Sequence, residues 1–369
     1  MKDKIYLGAW AIGQLEEWIY FSASNINGLF RINIKTLEIE FVYRFQTVDL
    51  ESDFFLGLHG GKIVFYKDEL FLFPLGSNVI INFNTVTKRE TTIEIPDFSS
   101  EIFAINEVVE NKEEIIFKGD TYLGIYSLNL LEKQVKKSCL GEKLFSQYDV
   151  THCGWSNWNA EHFCIVLQGR DEFLVVSKDY EEIISYPPEI KGRFVTDILF
   201  NKHKFWFMFG DSADIMCWNK EEQKVKCYKP IDSKLQKNIS GGYKELFVFK
   251  DRVCILGNRY KGVYGINEKD SIVESVIDDA DIFQVVDKEK IGVPSLGNFL
   301  IVNEELWVFP DSGKYLLIFN ENMELIRKKE FSIETSKIPG WDSKVIAPPD
   351  LEETGTYTLG SYIRYILTQ

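Results

Sequence analysis

The sequence predicts an all-β chain built from seven repeated four-stranded units, and three observations carry that expectation. First, a bulky apolar residue opens a short β-rich run, and an Asn, once a Ser, begins a polar turn 14 or 15 residues later. The pairs are Trp18/Asn33, Leu70/Asn84, Ile115/Asn129, Phe163/Ser177, Phe205/Asn219, Val253/Asn267 and Leu306/Asn320. Successive pairs start 42 to 53 residues apart, a period that signals a solenoid, a propeller or an array. Second, the middle runs are almost continuously apolar (LFLF from Leu70, FWFMF from Phe205, LWVF from Leu306), as strands buried on both faces require. Third, the last run of a unit alternates, with Lys224, Lys226 and Tyr228 set against Val225 and Cys227, which marks an outer strand with one wet side. No unit carries a sustained helical period.

The second unit shows how each element follows from its residues. Gly61 to Tyr66 reads as the first strand and Lys67-Asp68 as a tight turn. Leu70 to Phe73 is the second strand, ended by Pro74 and Gly76, and Val79 to Phe83 is the third. Asn84 to Thr87 turns the chain into the fourth, Arg89 to Ile95. Ile, Val, Phe and Thr fill the strands, and the turn residues are those that tight hairpins need. The recurring Asn bonds the backbone two residues on and tolerates left-handed dihedrals, so it nucleates the turn between third and fourth strands.

The pattern resembles the kelch-like and WD40-like β-propellers, whose four-stranded blades surround a channel. The resemblance covers almost the whole chain and is one of architecture. The kelch double glycine after the second strand and the Gly-His and Trp-Asp signatures are absent, and His59-Gly60-Gly61 and Ser240-Gly241-Gly242 precede first strands instead. It implies a single propeller of seven blades, with six or eight as the alternatives. The expected blades are 1–46, 47–98, 99–140, 141–190, 191–232, 233–280 and 281–335, followed by a closing segment, 336–369, whose strand-like run Tyr362 to Leu367 pairs near the N-terminus.

Composition bounds the partners. The 369 residues carry a net charge of -14, which disfavours nucleic acid and anionic membranes. The basic runs Lys133 to Lys137 and Arg327 to Lys329 fall on outer strands, where lysines discourage edge-to-edge pairing. The six cysteines (Cys139, Cys153, Cys164, Cys217, Cys227 and Cys254) form no CxxC and no zinc-ligand spacing. No apolar stretch is long enough to span a membrane, and the N-terminus lacks a signal-peptide pattern. The expectation is an acidic cytoplasmic protein with no metal and no cofactor.

No GxSxG, HExxH, P-loop, GxGxxG or sialidase Asp-box occurs, and Asp278-Asp279-Ala280-Asp281 reads as an exposed acidic loop. Two loop sets, those between blades and those joining second to third strands, meet at one end of a propeller. They supply the candidate ligand-binding residues: His59, His152, Trp155, Arg193 and Tyr243 from the first set, and Arg170, Arg259 and Tyr260 from the second. Aromatic side chains there suit a sugar or a peptide, and Arg193 favours an anionic or carboxylate-bearing ligand. The functional expectation is a non-catalytic binding or scaffold protein that holds a protein segment or a carbohydrate. The alternative is an enzyme, a lyase or hydrolase on a sugar or peptide, in which His59 or His152 works with a carboxylate from another blade.

Overall fold

The computed structural model describes residues 4–23, 26–46, 62–74, 79–96, 107–111, 113–118, 125–137, 162–167, 170–177, 181–231, 243–257, 262–277, 296–310 and 314–340. These residues are all-β, apart from a three-residue 3-10 turn at Thr335–Lys337.

After a short strand β1 (Lys4–Tyr6), the first meander comprises β2 (Ala9–Leu15), β3 (Trp18–Ala23), β4 (Leu29–Asn33) and β5 (Ile39–Tyr43). The second comprises β6 (Ile63–Tyr66), β7 (Glu69–Leu72), β8 (Val79–Asn84) and β9 (Glu90–Glu94). The third comprises β10 (Glu107–Asn111), β11 (Glu114–Lys118), β12 (Ile125–Asn129) and β13 (Gln134–Lys137). The fourth shows three strands, β14 (His162–Val166), β15 (Glu172–Ser177) and β16 (Glu181–Ser185); its expected first strand lies outside the described residues. The fifth is β17 (Val195–Asn201), β18 (Lys204–Phe209), β19 (Ile215–Asn219) and β20 (Lys224–Pro230). The sixth is β21 (Tyr243–Phe249), β22 (Arg252–Gly257), β23 (Val263–Asn267) and β24 (Ile272–Ser275). The seventh is β25 (Leu296–Val302), β26 (Glu305–Pro310), β27 (Tyr315–Phe319) and β28 (Leu325–Glu330), with β29 (Ser332–Glu334) after it. Among the described residues, seven successive meanders are present, the fourth with three strands.

The repeat is a repeat of register. Asn33, Asn84, Asn129, Ser177 and Asn219 each sit opposite the residue fifteen positions earlier: Trp18, Glu69, Glu114, His162 and Lys204. The buried member is the next residue along. Ile19, Leu70, Ile115, Phe205, Val253 and Leu306 are all 0–4% exposed. The first unit is thereby shifted by one residue from the sequence alignment: Ile19, not Trp18, is the core position. Trp18 is half-buried and lies under the Arg31 guanidinium, 3.9 Å from its ring centroid.

The turn chemistry is as expected in one respect and different in another. The side-chain oxygen of Asn33 accepts the N–H groups of Lys35 and Thr36 at 2.9 and 3.0 Å, and that of Asn219 accepts those of Glu221 and Glu222, both at 3.1 Å. Asn84, Asn129, Asn267 and Asn320 repeat the pattern. The left-handed residue, however, comes later in the turn: Leu37, Lys88, Lys133, Gln223, Ser271 and Met323 have φ of 53–65°. Six non-glycine residues thus hold a conformation that costs an L-residue roughly 1–2 kcal/mol.

The chain divides into two compact units, residues 1–106, 132–135 and 279–369 in one and 107–131 with 136–278 in the other. In the first, Ile19, Phe21 and Phe30 pack with Trp307, Phe309 and Phe331, and Tyr20 and Leu29 pack with Leu70, Leu72 and Phe83. Strand β1 pairs antiparallel with β29, and the Leu7 N–H reaches the Phe331 carbonyl at 2.8 Å. The run Tyr362 to Leu367 lies outside the described residues. In the second unit, Cys164, Phe173 and Tyr186 pack with Val195, Phe205 and Phe207, while Trp206, Met208 and Tyr228 pack with Tyr243, Leu246 and Tyr264. There β20 also pairs in parallel with β24, Lys229 facing Ile272 and Pro230 facing Val273, so that two meanders form one eight-stranded sheet.

Candidate functional site

The two loop sets singled out by the sequence meet in the second unit. Pro187 starts the connection from β16 to β17; its carbonyl accepts the Ile190 N–H at 2.9 Å, and the Ile190 carbonyl accepts that of Arg193 at 3.1 Å. Gly192 is left-handed there, with φ of 73° and open space where a Cβ would stand. Its N–H donates to the Asp171 carboxylate at 2.7 Å, which ties this connection to the loop before β15. On the other side, the Gly210 N–H donates to the Phe194 carbonyl at 2.8 Å, which ties it to the loop after β18.

Arg193 is held from several directions. Its guanidinium carbon stands 3.7 Å from the Phe209 ring centroid. One terminal nitrogen reaches Asp211 at 3.5 Å and the other faces the Met216 sulfur at 3.6 Å. The Arg193 side chain is 20% exposed and that of Asp211 48%, so the carboxylate stays open to solvent while the cation is largely covered. Cys227 lies opposite Met216, and burial pushes its thiol up; Asp214 adds to the rise, whereas Lys229 and Arg193 oppose it. Beneath these loops Tyr186 stacks on Phe173 at 5.3 Å, and its hydroxyl finds no hydrogen-bond partner. Burial raises its ionisation above the ordinary tyrosine range, with further contributions from Cys164 and Asp171.

Of the residues flagged by sequence, Arg193 takes a half-buried polar position at this end. Arg170 is exposed, with Glu172 at 3.9 Å. Tyr243 belongs to the core between the fifth and sixth meanders, edge-to-face with Tyr264 at 5.5 Å. His59, His152, Trp155, Arg259 and Tyr260 lie outside the described residues. Sequence reasoning did not single out Phe194, Phe209, Asp171, Asp211 or Asp214. Phe194 offered one signal, an aromatic residue directly after Gly192-Arg193 at the start of an inner strand. Among the described residues, no three His, Cys, Asp or Glu side chains gather into a metal-binding group.

No protein-family model and no curated protein matches the chain. Solved structures do. YCF48 from Cyanidioschyzon merolae superposes with a TM-score of 0.59 at 12% identity, covering 86% of this chain and 97% of that one. Virginiamycin B lyase from Staphylococcus aureus gives 0.54 at 11% identity, with 84% and 95% covered. Hsv2 from Kluyvelomyces marxianus gives 0.55 at 8% identity, with 89% and 99% covered. The chain therefore has a fold of the β-propeller type. At these identities the likeness is one of fold, shared by a lyase and by proteins of other kinds.

Proposed function

We propose that this protein is a binding propeller that holds a protein segment or a glycan at the end of the second unit where Arg193, Asp211 and Asp171 converge. The observation that carries the reading is the fixed Arg193–Asp211 pair, stacked on Phe209 and set where the two loop sets meet. Rigid strands deliver polar groups to a loop cluster, an arrangement that suits recognition. The charge pattern alters one expectation. Arg193 is matched by Asp211, with Asp171 on the adjacent Gly192, and Asp214 and Lys229 both act on Cys227, so acidic and basic groups are mixed here. A ligand with both donors and acceptors fits better. The reading also takes the protein as cytoplasmic, in keeping with free thiols at Cys164, Cys217, Cys227 and Cys254.

Immobilised peptide and glycan libraries, probed with the parent and with Arg193→Ala, test the proposal. Capture by the parent that the variant loses supports it. Equal capture by both, or capture of nothing, overturns it.

A further inference from the structure

Phe194 is 54% exposed, and the other large exposed apolar side chains among the described residues are aliphatic. Its position is built rather than incidental. An ideal Cβ on Gly210 would come within 2.4 Å of the Phe194 ring, so the ring lies against bare main chain. The Thr196 methyl group closes on the same spot, 3.0 Å from that Cβ position, and the Gly210 N–H to Phe194 carbonyl bond fixes the two backbones together. One ring surface is spent on Gly210 and another is left to solvent. The next residue, Asp211, offers a half-exposed carboxylate whose direction Arg193 sets. Two consecutive residues thus face three: Arg193 lies over Phe209, Phe194 lies over Gly210, and Asp211 reaches back to Arg193.

We infer that Phe194, Gly210 and Asp211 form a subsite for an uncharged pyranose ring of a glycan. The inference rests on the binding reading above and narrows it to one ligand class. An immobilised aromatic surface complements the C–H face of a sugar, where a flexible side chain would lose more freedom on binding. A carboxylate accepts hydrogen bonds from hydroxyl groups and donates none, so Asp211 is matched to a polyol. Its charge is balanced by Arg193, so the sugar needs no charge of its own. An acidic ligand would meet the carboxylates of Asp211, Asp171 and Asp214 as well as the cations Arg193 and Lys229. Phe194 and Asp211 touch the ligand; Arg193 is a positioning residue.

The test uses the full chain on an array of neutral oligosaccharides built from glucose, galactose, mannose and N-acetylhexosamines, with acidic peptides alongside. The expected result is capture of at least one neutral glycan, with binding weakened roughly three- to tenfold by Phe194→Ala, the size of one aromatic contact. Phe194→Trp should retain binding. Gly210→Ala should weaken it by lifting the ring, with an unchanged far-ultraviolet spectrum and a modest fall in melting temperature. Capture of acidic peptides alone, lost in Arg193→Ala, would overturn the sugar assignment and leave the binding reading standing. A captured glycan held equally well by parent and Phe194→Ala would likewise overturn this subsite. No capture of glycan or peptide would remove both readings.

Discussion

The carboxylate of Asp197, in an inner strand, accepts the main-chain N–H of Leu246 in the next inner strand at 2.8 Å, while its other oxygen takes the N–H of Ile198 at 2.8 Å. Asp197 is 3% exposed and Leu246 fully buried. It stands just past a β-bulge between Val195 and Asp197, a device that redirects a side chain out of the ladder. Burial of this side chain is tolerated because both of its oxygens accept main-chain hydrogen bonds. Asp197→Ala should destabilise the protein by about 1–3 kcal/mol, since it strands buried N–H groups. Asp197→Asn should also destabilise, because its amide nitrogen presents a donor where an acceptor is needed. Thermal melting measures both, and faster hydrogen exchange at the Leu246 amide would locate the loss.

The left-handed turn residues predict stabilising changes. Gln223 and Ser271 have φ of 53° and 59°. Glycine relieves the conformation, at the expense of a more flexible unfolded chain. Gln223→Gly and Ser271→Gly should each raise stability by about 0.5–1 kcal/mol, measured by urea unfolding. By contrast, Asn84→Ala should cost about 0.5–1.5 kcal/mol, because Val86 and Thr87 lose their shared acceptor.

Burial pushes the thiols of Cys217 and Cys254 up to about 12, and raises that of Cys227 as well. Burial therefore keeps the reactive thiolate scarce at Cys217 and Cys254 at pH 8. Iodoacetamide followed by peptide mapping should therefore leave both unmodified in the native protein and modify them readily in urea. Alkylation of either at the unfolded rate would contradict the packing.

Glu330 bonds Lys4 of β1, and this contact, aided by Lys314, holds its carboxyl below the ordinary range. A depressed folded value contributes stability above the ordinary carboxylate pKa, and the contribution is lost as pH falls through the folded value. Acidification should therefore loosen β1 first. Exchange of the Leu7 amide, bonded to Phe331, reports it. Glu330→Gln should reproduce the loosening at neutral pH, with little change in global melting, because the pair is solvent-exposed.

The fold was legible because its signals are local. Asn binding to its own turn and strands apolar on both faces are written in adjacent residues, so Leu70, Phe205 and Leu306 were found as core. The first unit slipped by one because Trp18 and Ile19 are both bulky and apolar, and the Arg31 side chain that covers Trp18 is visible only across the strand pair. The left-handed positions carried no compositional mark, since Leu, Lys, Gln, Ser and Met occupy them. The candidate site was half legible. Arg193 stood out as a cation before an apolar strand. Phe194 did not, because its exposure depends on a glycine sixteen positions later. Tyr243 looked equivalent to Arg193, yet it opens its strand at the bulge and turns into the core.

The parallel joint between β20 and β24 bears on how such a chain can grow. Repeats are gained and lost most easily where each one owns its edges, because a copied unit then brings its complete surroundings with it. Here the fifth repeat overruns its own hairpin: the Lys229 N–H bonds the Ser271 carbonyl and the Ile231 N–H bonds that of Val273, both within the sixth. A unit spliced in between would orphan that overhang, and removal of either neighbour would expose it. The fifth and sixth repeats therefore behave as one structural piece, each completing an edge of the other.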